Sequence, residues 1–413
     1  MEKLIMINFT VAAIFFVCYC YQFLYVATAL VQKDKPHKEE KAHHFAVLIA
    51  ARNEAEVIGH LIESIQAQTY QKGNVTVFVV ADNCTDNTAQ IARNLGAVVY
   101  ERFNQDKIGK GYAMEYLLDQ MERNNERFDG YFVFDADNVL DQNYILEMNK
   151  TFSDGYDIIT SYRNSKNFGD NWISAGYAIW FLWESEYLNR GRMLLGTSCA
   201  VSGTGFFFSR RIIEKYDGWK FFLLTEDIQF TVDNVLSGEK IGYCRNAVLY
   251  DEQPIKFKQS FRQRLRWAKG FFQVFRQYGG NLMKGALRKN SSCFDMFMVI
   301  SPAIFLTIFS ILFNGLALLF GDFSRYEVAV IIRSLQQMII NIYFTLVAIG
   351  ALTTFTQWNK IHTTNFKKVL YIFTFPLFML TYIPITITAL FKKVEWKPIE
   401  HSKAKTIAEI KEG

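Results

Sequence analysis

The chain has 413 residues, 50% of them hydrophobic, 16% aromatic and 21% charged. That balance is too polar for membrane spans throughout and, with its apolar runs gathered at the two ends, too apolar for a simple soluble protein. A formal charge of +5 is small for this length; it calls for no nucleic-acid partner and suits loops that flank membrane segments.

From Leu4 to Val31 the sequence carries no charge, enough to cross a hydrocarbon core that takes about 20 apolar residues. A transmembrane helix over residues 1–32 is expected. Ala27-Thr28-Ala29 imitates a signal-peptidase site, but the run is about twice the length of a signal-peptide core. Residues 33–41 are rich in lysine while only Lys3 precedes the span, so the positive-inside bias puts the following domain in the cytoplasm.

Residues 42–253 contain no proline and alternate short apolar runs with helical periodicity. FAVLIAA (45–51), VTVFVVA (75–81), AVVYER (97–102), YFVFDAD (131–137) and YDIITSY (156–162) read as buried strands. After the first strand, Val57, Ile58, Leu61, Ile62 and Ile65 fall on one helical face. The alternation predicts an α/β fold with a mostly parallel sheet, whose ligands gather at the carboxyl ends of strands.

Polar residues stand at those ends. Arg52-Asn53-Glu54 follows the first strand and the stretch from Asp82 to Thr88 the second, both suited to nucleotide contacts. Asp82 and Asp86 also suit capping of a helix from about Asn87; for Asp82, directly at a strand end, base or ribose recognition is preferred. Lys110 in Ile108-Gly109-Lys110-Gly111 lacks P-loop spacing and is either a phosphate contact or a turn lysine. Asp135-Ala136-Asp137 ends a buried strand, where two carboxylates suit Mg2+ or Mn2+ bridging a diphosphate.

Ser202-Gly203-Thr204-Gly205 allows close backbone approach to an acceptor, or is an ordinary turn. Thr225-Glu226-Asp227 opens a helix; the acids favour its dipole, or one of them takes the proton of an attacking hydroxyl. Residues 256–269 interleave basic and aromatic side chains, as an amphipathic helix on an anionic membrane surface does. Gln263, Arg266 and Trp267 share one side of it and can hold a diphosphate and stack a sugar.

Further apolar runs at 296–320, 334–355 and 369–391 predict three helices in a membrane region over 294–392. A basic tail, 393–413, follows. Three crossings would leave that tail outside, against its lysine content, unless one segment is re-entrant or interfacial. The six cysteines lack zinc-ligand spacing and read as reduced. None of the six histidines adjoins an acidic motif, which argues for oxygen ligands at any metal.

The order D, D-x-D, T-E-D, Q-x-x-R-W resembles membrane-embedded family 2 glycosyltransferases, including cellulose, hyaluronan and poly-N-acetylglucosamine synthases. The resemblance covers about 42–275. It implies a GT-A-type, Rossmann-like domain over those residues, an inverting displacement, a nucleoside-diphosphate sugar donor (UDP-linked in the preferred case) and a glycan or lipid acceptor at the cell membrane. By motif, Asp227 is the general base and Asp137 holds the metal. Asp82, Asp135, Gln263, Arg266 and Trp267 bind the donor, with Asn53, Glu54 and Lys110 as further donor contacts. Gly203, Thr204, Gly205, Thr225, Glu226 and Trp267 serve the acceptor or support the site. The family's first motif often has a proline where Ala50 stands, which weakens only Asn53 and Glu54. The competing classes are a silent sugar-nucleotide scaffold, which would have lost Asp137 or Asp227, and a transporter, which would carry ionisable residues in its spans. The sugar, the acceptor, processivity and any accessory subunit stay open.

Overall fold

The alternating apolar runs of the middle of the chain form one eight-stranded sheet: β1 (Phe45–Ala51), β2 (Val75–Asp82), β3 (Val98–Arg102), β4 (Gly130–Asp135), β5 (Val139–Leu140), β6 (Ile158–Ser165), β7 (Phe206–Ser209) and β8 (Ile241–Asp251). The computed structural model describes residues 2–412 apart from 39, 72, 321–323, 400 and 402. The spatial order is β3-β2-β1-β4-β7-β6-β8-β5.

Strands β3, β2, β1 and β4 run parallel, as do β6 and β8. The sheet is nevertheless mixed, because β7 enters antiparallel between β4 and β6 and β5 runs antiparallel to β8. The expectation of a mostly parallel sheet missed β7: its Phe206, Phe207 and Phe208 are all buried, and a four-residue strand buried on both faces shows no alternation. The helix Ile58–Gln66 buries Ile58, Leu61, Ile62 and Ile65 as its periodicity requires. With β1 and β4 these side chains make one of two core layers, the other lying across the sheet beneath Lys110–Arg123 and Glu226–Leu236.

The N-terminal span is two helices, Glu2–Tyr19 and Gln22–Val31, fastened to the sheet domain by a buried charge cluster. Asp295, fully buried, accepts from Arg192 at 2.6 and 3.2 Å and from the hydroxyls of Tyr21 and Tyr25 at 2.7 and 3.1 Å. Taking both charges out of water is costly, and four hydrogen bonds offset it.

Among the described residues three helical stretches are long and apolar enough to cross a membrane: Leu4–Val31, Arg325–Thr356 and Asn365–Phe391. The third consists of Asn365–Leu380 and Tyr382–Phe391, and both its ends meet the sheet domain. At its start Lys367 donates to the Gly169 carbonyl at 2.8 Å; beyond its end His401 lies 3.0 Å from Glu54. Between them Arg264 donates to Phe378 O at 3.1 Å and to Thr381 at 2.7 Å. A stretch that begins and ends on one face of a domain returns to the side it left.

The chain moves away from the domain on Pro302–Phe320, where Asn314 pairs with Asn8 at 2.8 Å, about three helical turns from the domain end of the first helix. It comes back on Arg325–Thr356, whose end meets the domain through Thr356 and Tyr187 at 2.6 Å and Gln357 and Tyr162 at 2.8 Å. These contacts favour two crossings after the domain, with Asn365–Phe391, itself a candidate span by length and composition, packed along it. The basic tail ends on the domain's side, where Lys411 pairs with Asp141 at 2.9 Å.

In sealed vesicles, epitope tags at the C-terminus and within 33–41 are expected to be cut from the same face, and a tag after Ser324 from the opposite one. A tail protected from the face that exposes 33–41 would overturn the two-crossing topology. Asp295→Ala, which leaves Arg192 buried and unpaired, should cost about 3–5 kcal/mol, read as a large fall in the thermal midpoint in detergent.

Candidate active site

The carboxyl ends of β1, β2, β4 and β8 open into a cavity of about 550 Å³. Its charged half is built from turns. At the end of β4, Asp135 pairs with Lys110, which also donates to the Gly203 carbonyl at 2.8 Å. Burial works against both charges, but each partner outweighs it: Asp135 is held below its ordinary value and Lys110 above it. Lys110 is therefore part of the site and not a turn lysine. Two residues on, Asp137 is buried and accepts from the Glu252 backbone at 2.9 Å.

Asp82, at the end of β2, pairs with Arg102 and lines the cavity. Asp86 accepts from Thr88 N at 3.1 Å at the start of the helix Thr88–Asn94, whose N-cap position is Asn87. Asn53 turns away from the cavity: its carboxamide oxygen accepts from Thr85 N at 2.8 Å and ties the β1 and β2 turns together. Thr204 and Gly205 also stand behind the wall, Thr204 accepting from Asp135 N at 2.9 Å. Of that turn it is Ser202 and Gly203 that line the cavity. Gly203, at φ +75°, would bring a Cβ 3.8 Å from Asp227 Oδ2, so its backbone conformation keeps the space beside that carboxylate open.

Glu226 and Asp227 begin the helix Glu226–Leu236 and line the cavity with Thr225. Burial, then the neighbouring Asp227 carboxylate, pushes Glu226 up to about 7. Asp227 is also raised, chiefly by burial. The helix Phe257–Leu287 supplies Gln263, Arg266 and Trp267 from one face. It approaches closely because residue 270 is glycine: a Cβ there would stand 2.5 Å from Thr225. Arg266 donates to Leu224 O at 2.9 Å, and Trp267 packs edge-on to Tyr177. Gln263 Oε1 and Thr225 Oγ1 are buried with no hydrogen-bond partner among the described residues, and the Thr225 hydroxyl sits against Gly270.

Several lining groups escaped sequence reasoning. Arg163 of β6 pairs with Asp251 of β8 and donates to Ser202 O at 3.0 Å. Glu184 accepts from Ser202 at 3.0 Å and opens a π-helical turn, Glu184–Asn189, a distortion frequent at functional sites. The largest omission is the tail. Trp396 stacks against Arg52 at 5.4 Å, His401 Nδ1 sits 3.1 and 3.0 Å from the two Glu54 oxygens, and both line the cavity. No histidine adjoins an acidic motif in sequence, yet His401 reaches Glu54 in space, because the contact spans 347 residues and leaves no local motif. Burial opposes charge on His401, but Asp137 and Glu54 prevail and hold it up to about 10.

The acid cluster fits a divalent ion of a particular kind. Glu54 and Asp251 are each pushed up to about 6, first by burial. Lys166 Nζ is buried among these acids with no hydrogen-bond partner among the described residues. Among the described residues no three acid, histidine or cysteine side chains converge as a complete metal cage. Asp135 and Asp137 are hard oxygen donors of the number that Mg2+ takes from protein when substrate phosphates complete its shell.

Residues 42–270 match the family model described as "Glycosyltransferase like family 2". This is more than half of the chain, which belongs to that family. It is 25% identical over 276 residues to a probable glycosyltransferase of Bacillus subtilis, covering 61% of this chain and 60% of that one. It is 25% identical over 242 residues to the beta-monoglucosyldiacylglycerol synthase of Synechocystis, covering 56% and 48%. The same identity holds over 236 residues with the poly-beta-1,6-N-acetyl-D-glucosamine synthase of Staphylococcus aureus, covering 55% and 54%. The chain thus spans about half to three-fifths of these relatives' length. A mannosyltransferase from Pyrobaculum calidifontis, solved with GDP-Man and Mn2+, superposes with a TM-score of 0.56 over 92% of this chain and 98% of that one at 14% identity. That likeness shows a common GT-A-type fold.

If Glu226 and Asp227 share their charge, transfer should rise with pH through the neutral range as the pair loses a proton. Glu226→Gln removes the like charge and should move that acid limb to lower pH. An unmoved limb in the pH–rate profile would uncouple Asp227 from Glu226.

Proposed function

We propose that this family 2 glycosyltransferase moves a sugar from a nucleoside-diphosphate donor, UDP-linked in the preferred case, to an envelope polysaccharide or glycolipid acceptor, with its catalytic domain on the cytoplasmic face. The observation that carries the proposal is the convergence, on one cavity, of Asp227, the Lys110–Asp135 pair with Asp137, and Gln263, Arg266 and Trp267.

In this reading Asp82 and Arg52 face the nucleotide, and Asp135, Lys110 and Arg266 orient the donor diphosphate. Asp135 and Asp137 would hold Mg2+ or Mn2+, which when bound neutralises charge on the diphosphate. Asp227 accepts the proton of the acceptor hydroxyl. The hydroxyl oxygen bonds to the anomeric carbon from the face opposite the diphosphate, and the bond from that carbon to the diphosphate oxygen breaks. The electron pair leaves with the nucleoside diphosphate, and the anomeric configuration inverts. Lys110 and Arg266 are fixed cations near the departing charge, so little reorganisation accompanies the step. Trp267, held edge-on by Tyr177 and Phe181, offers a ring face for an acceptor sugar or head group. The two-crossing topology supports the orientation, since residues 33–41 and the tail, the two lysine-rich segments, then share one side.

Nucleotide release from a panel of UDP- and GDP-sugars, with purified protein in lipid and either metal, tests the proposal. Asp227→Asn should keep donor binding while release coupled to transfer falls about 10²–10⁴-fold. Asp137→Ala should weaken metal-dependent donor binding. Normal transfer by either variant would remove its assigned role.

A further inference from the structure

Resting on that reading of the site, we infer that the acceptor is a membrane lipid with a free head-group hydroxyl, which enters the cavity sideways from the bilayer. The character of the cavity changes along its length. The half at the strand ends is dense in charge; beyond Trp267 the walls are Phe271, Val299, Met379 and Ile383. Arg192 also reaches this half, with its charge already held by Asp295. A glycan chain needs hydrogen-bonding groups along its path, whereas an aliphatic wall offers them nothing and is matched by an acyl or isoprenoid tail.

The same walls are the elements that meet the membrane. Tyr19 ends the first helix, Val299 stands just before Pro302–Phe320, and Ile383 and Thr386 belong to the helix that returns along the domain. Beside them Phe16, Phe23 and Phe391 are 62%, 66% and 84% exposed, as side chains facing hydrocarbon would be. The first helix packs on Pro302–Phe320 through Asn8 and Asn314 at 2.8 Å, while the returning helix packs instead on Phe257–Leu287 through Leu265, Ala268, Ile385 and Ala389. The apolar walls thus come from the end of the first helix, from Val299 and from the returning helix. Gln263 and Thr225 line the cavity together with Asp227, where the head-group hydroxyl would be placed.

The test uses full-length protein in nanodiscs containing a diazirine-tailed diacylglycerol, with crosslinks mapped by mass spectrometry, beside label partition from radioactive UDP- and GDP-sugars. Crosslinks should concentrate on Phe271, Val299, Met379 and Ile383. They should fall at least fivefold in Ile383→Trp and Thr386→Trp, which fill the cleft from partly exposed positions, and persist in Leu377→Trp on the outer surface of the preceding helix. Transferred label should partition into organic solvent. Crosslinks spread evenly over the spans and indifferent to the cleft variants would overturn the inference. So would label found only in a water-soluble glycan, an outcome that leaves the transferase reading standing. Absence of nucleotide release from every donor would sink that reading, and the acceptor assignment with it, even where crosslinks persist.

Discussion

Carboxylates crowd the carboxyl ends of the strands, and the surrounding structure is arranged to keep them charged. Glu54, Asp82, Asp135, Asp137, Glu226, Asp227 and Asp251 all line one cavity. Buried acids left alone take up protons, as Glu54, Glu226 and Asp251 partly do. Each sector of the cluster has been given its own cation: Arg102 for Asp82, Lys110 for Asp135, Arg163 for Asp251 and His401 for Glu54. The surplus around Asp137 is what a divalent ion arriving with a diphosphate would neutralise.

That demand reaches into the membrane region. One of the cations, His401, lies beyond the last apolar helix, so the chain must finish on the side of the domain where the acids are. Asn365–Phe391, long and apolar enough to cross, also packs on the domain, with Phe378 against Gly176 and Lys367 at Gly169. Hydropathy reports that a helix tolerates hydrocarbon on some face; it does not report where the helix ends. The 39% burial of this stretch, against 6% for Leu4–Val31, is the difference that an apolar run makes when one of its faces packs on protein.

The sequence was legible wherever one strand or one helix carried the signal. Buried β1, β2 and β4 declared themselves by unbroken apolar runs, and Gln263, Arg266 and Trp267 by helical spacing. The T-E-D helix start likewise put Thr225, Glu226 and Asp227 together in the cavity wall. What stayed hidden depended on distant pairing. β7 is too short for periodicity, and β8 has a register shift opposite Ser161 and Tyr162 that interrupts its alternation. Asn53 sits in the right turn but at φ +57°, a left-handed conformation that sends its carboxamide to Thr85 and leaves Arg52 and Glu54 to face the cavity. No window of local sequence shows that difference.

The family match, residues 42–270, contains the sheet, the acids and Gln263, Arg266 and Trp267, but not the whole cavity. Tyr19, Gln22, Val299 and Ile383 wall its apolar end, and Trp396 and His401 close its charged end; all six lie outside the matched segment. The chemistry of sugar transfer needs only what the matched segment supplies. On the acceptor reading proposed above, the molecule that receives the sugar is chosen by the walls of the apolar end, and those are drawn from the two ends of the chain. A family shared at 25% identity over the catalytic segment can therefore keep one reaction while its acceptors diverge, because the residues that select the acceptor are free to change without disturbing Asp227 or the cations around it.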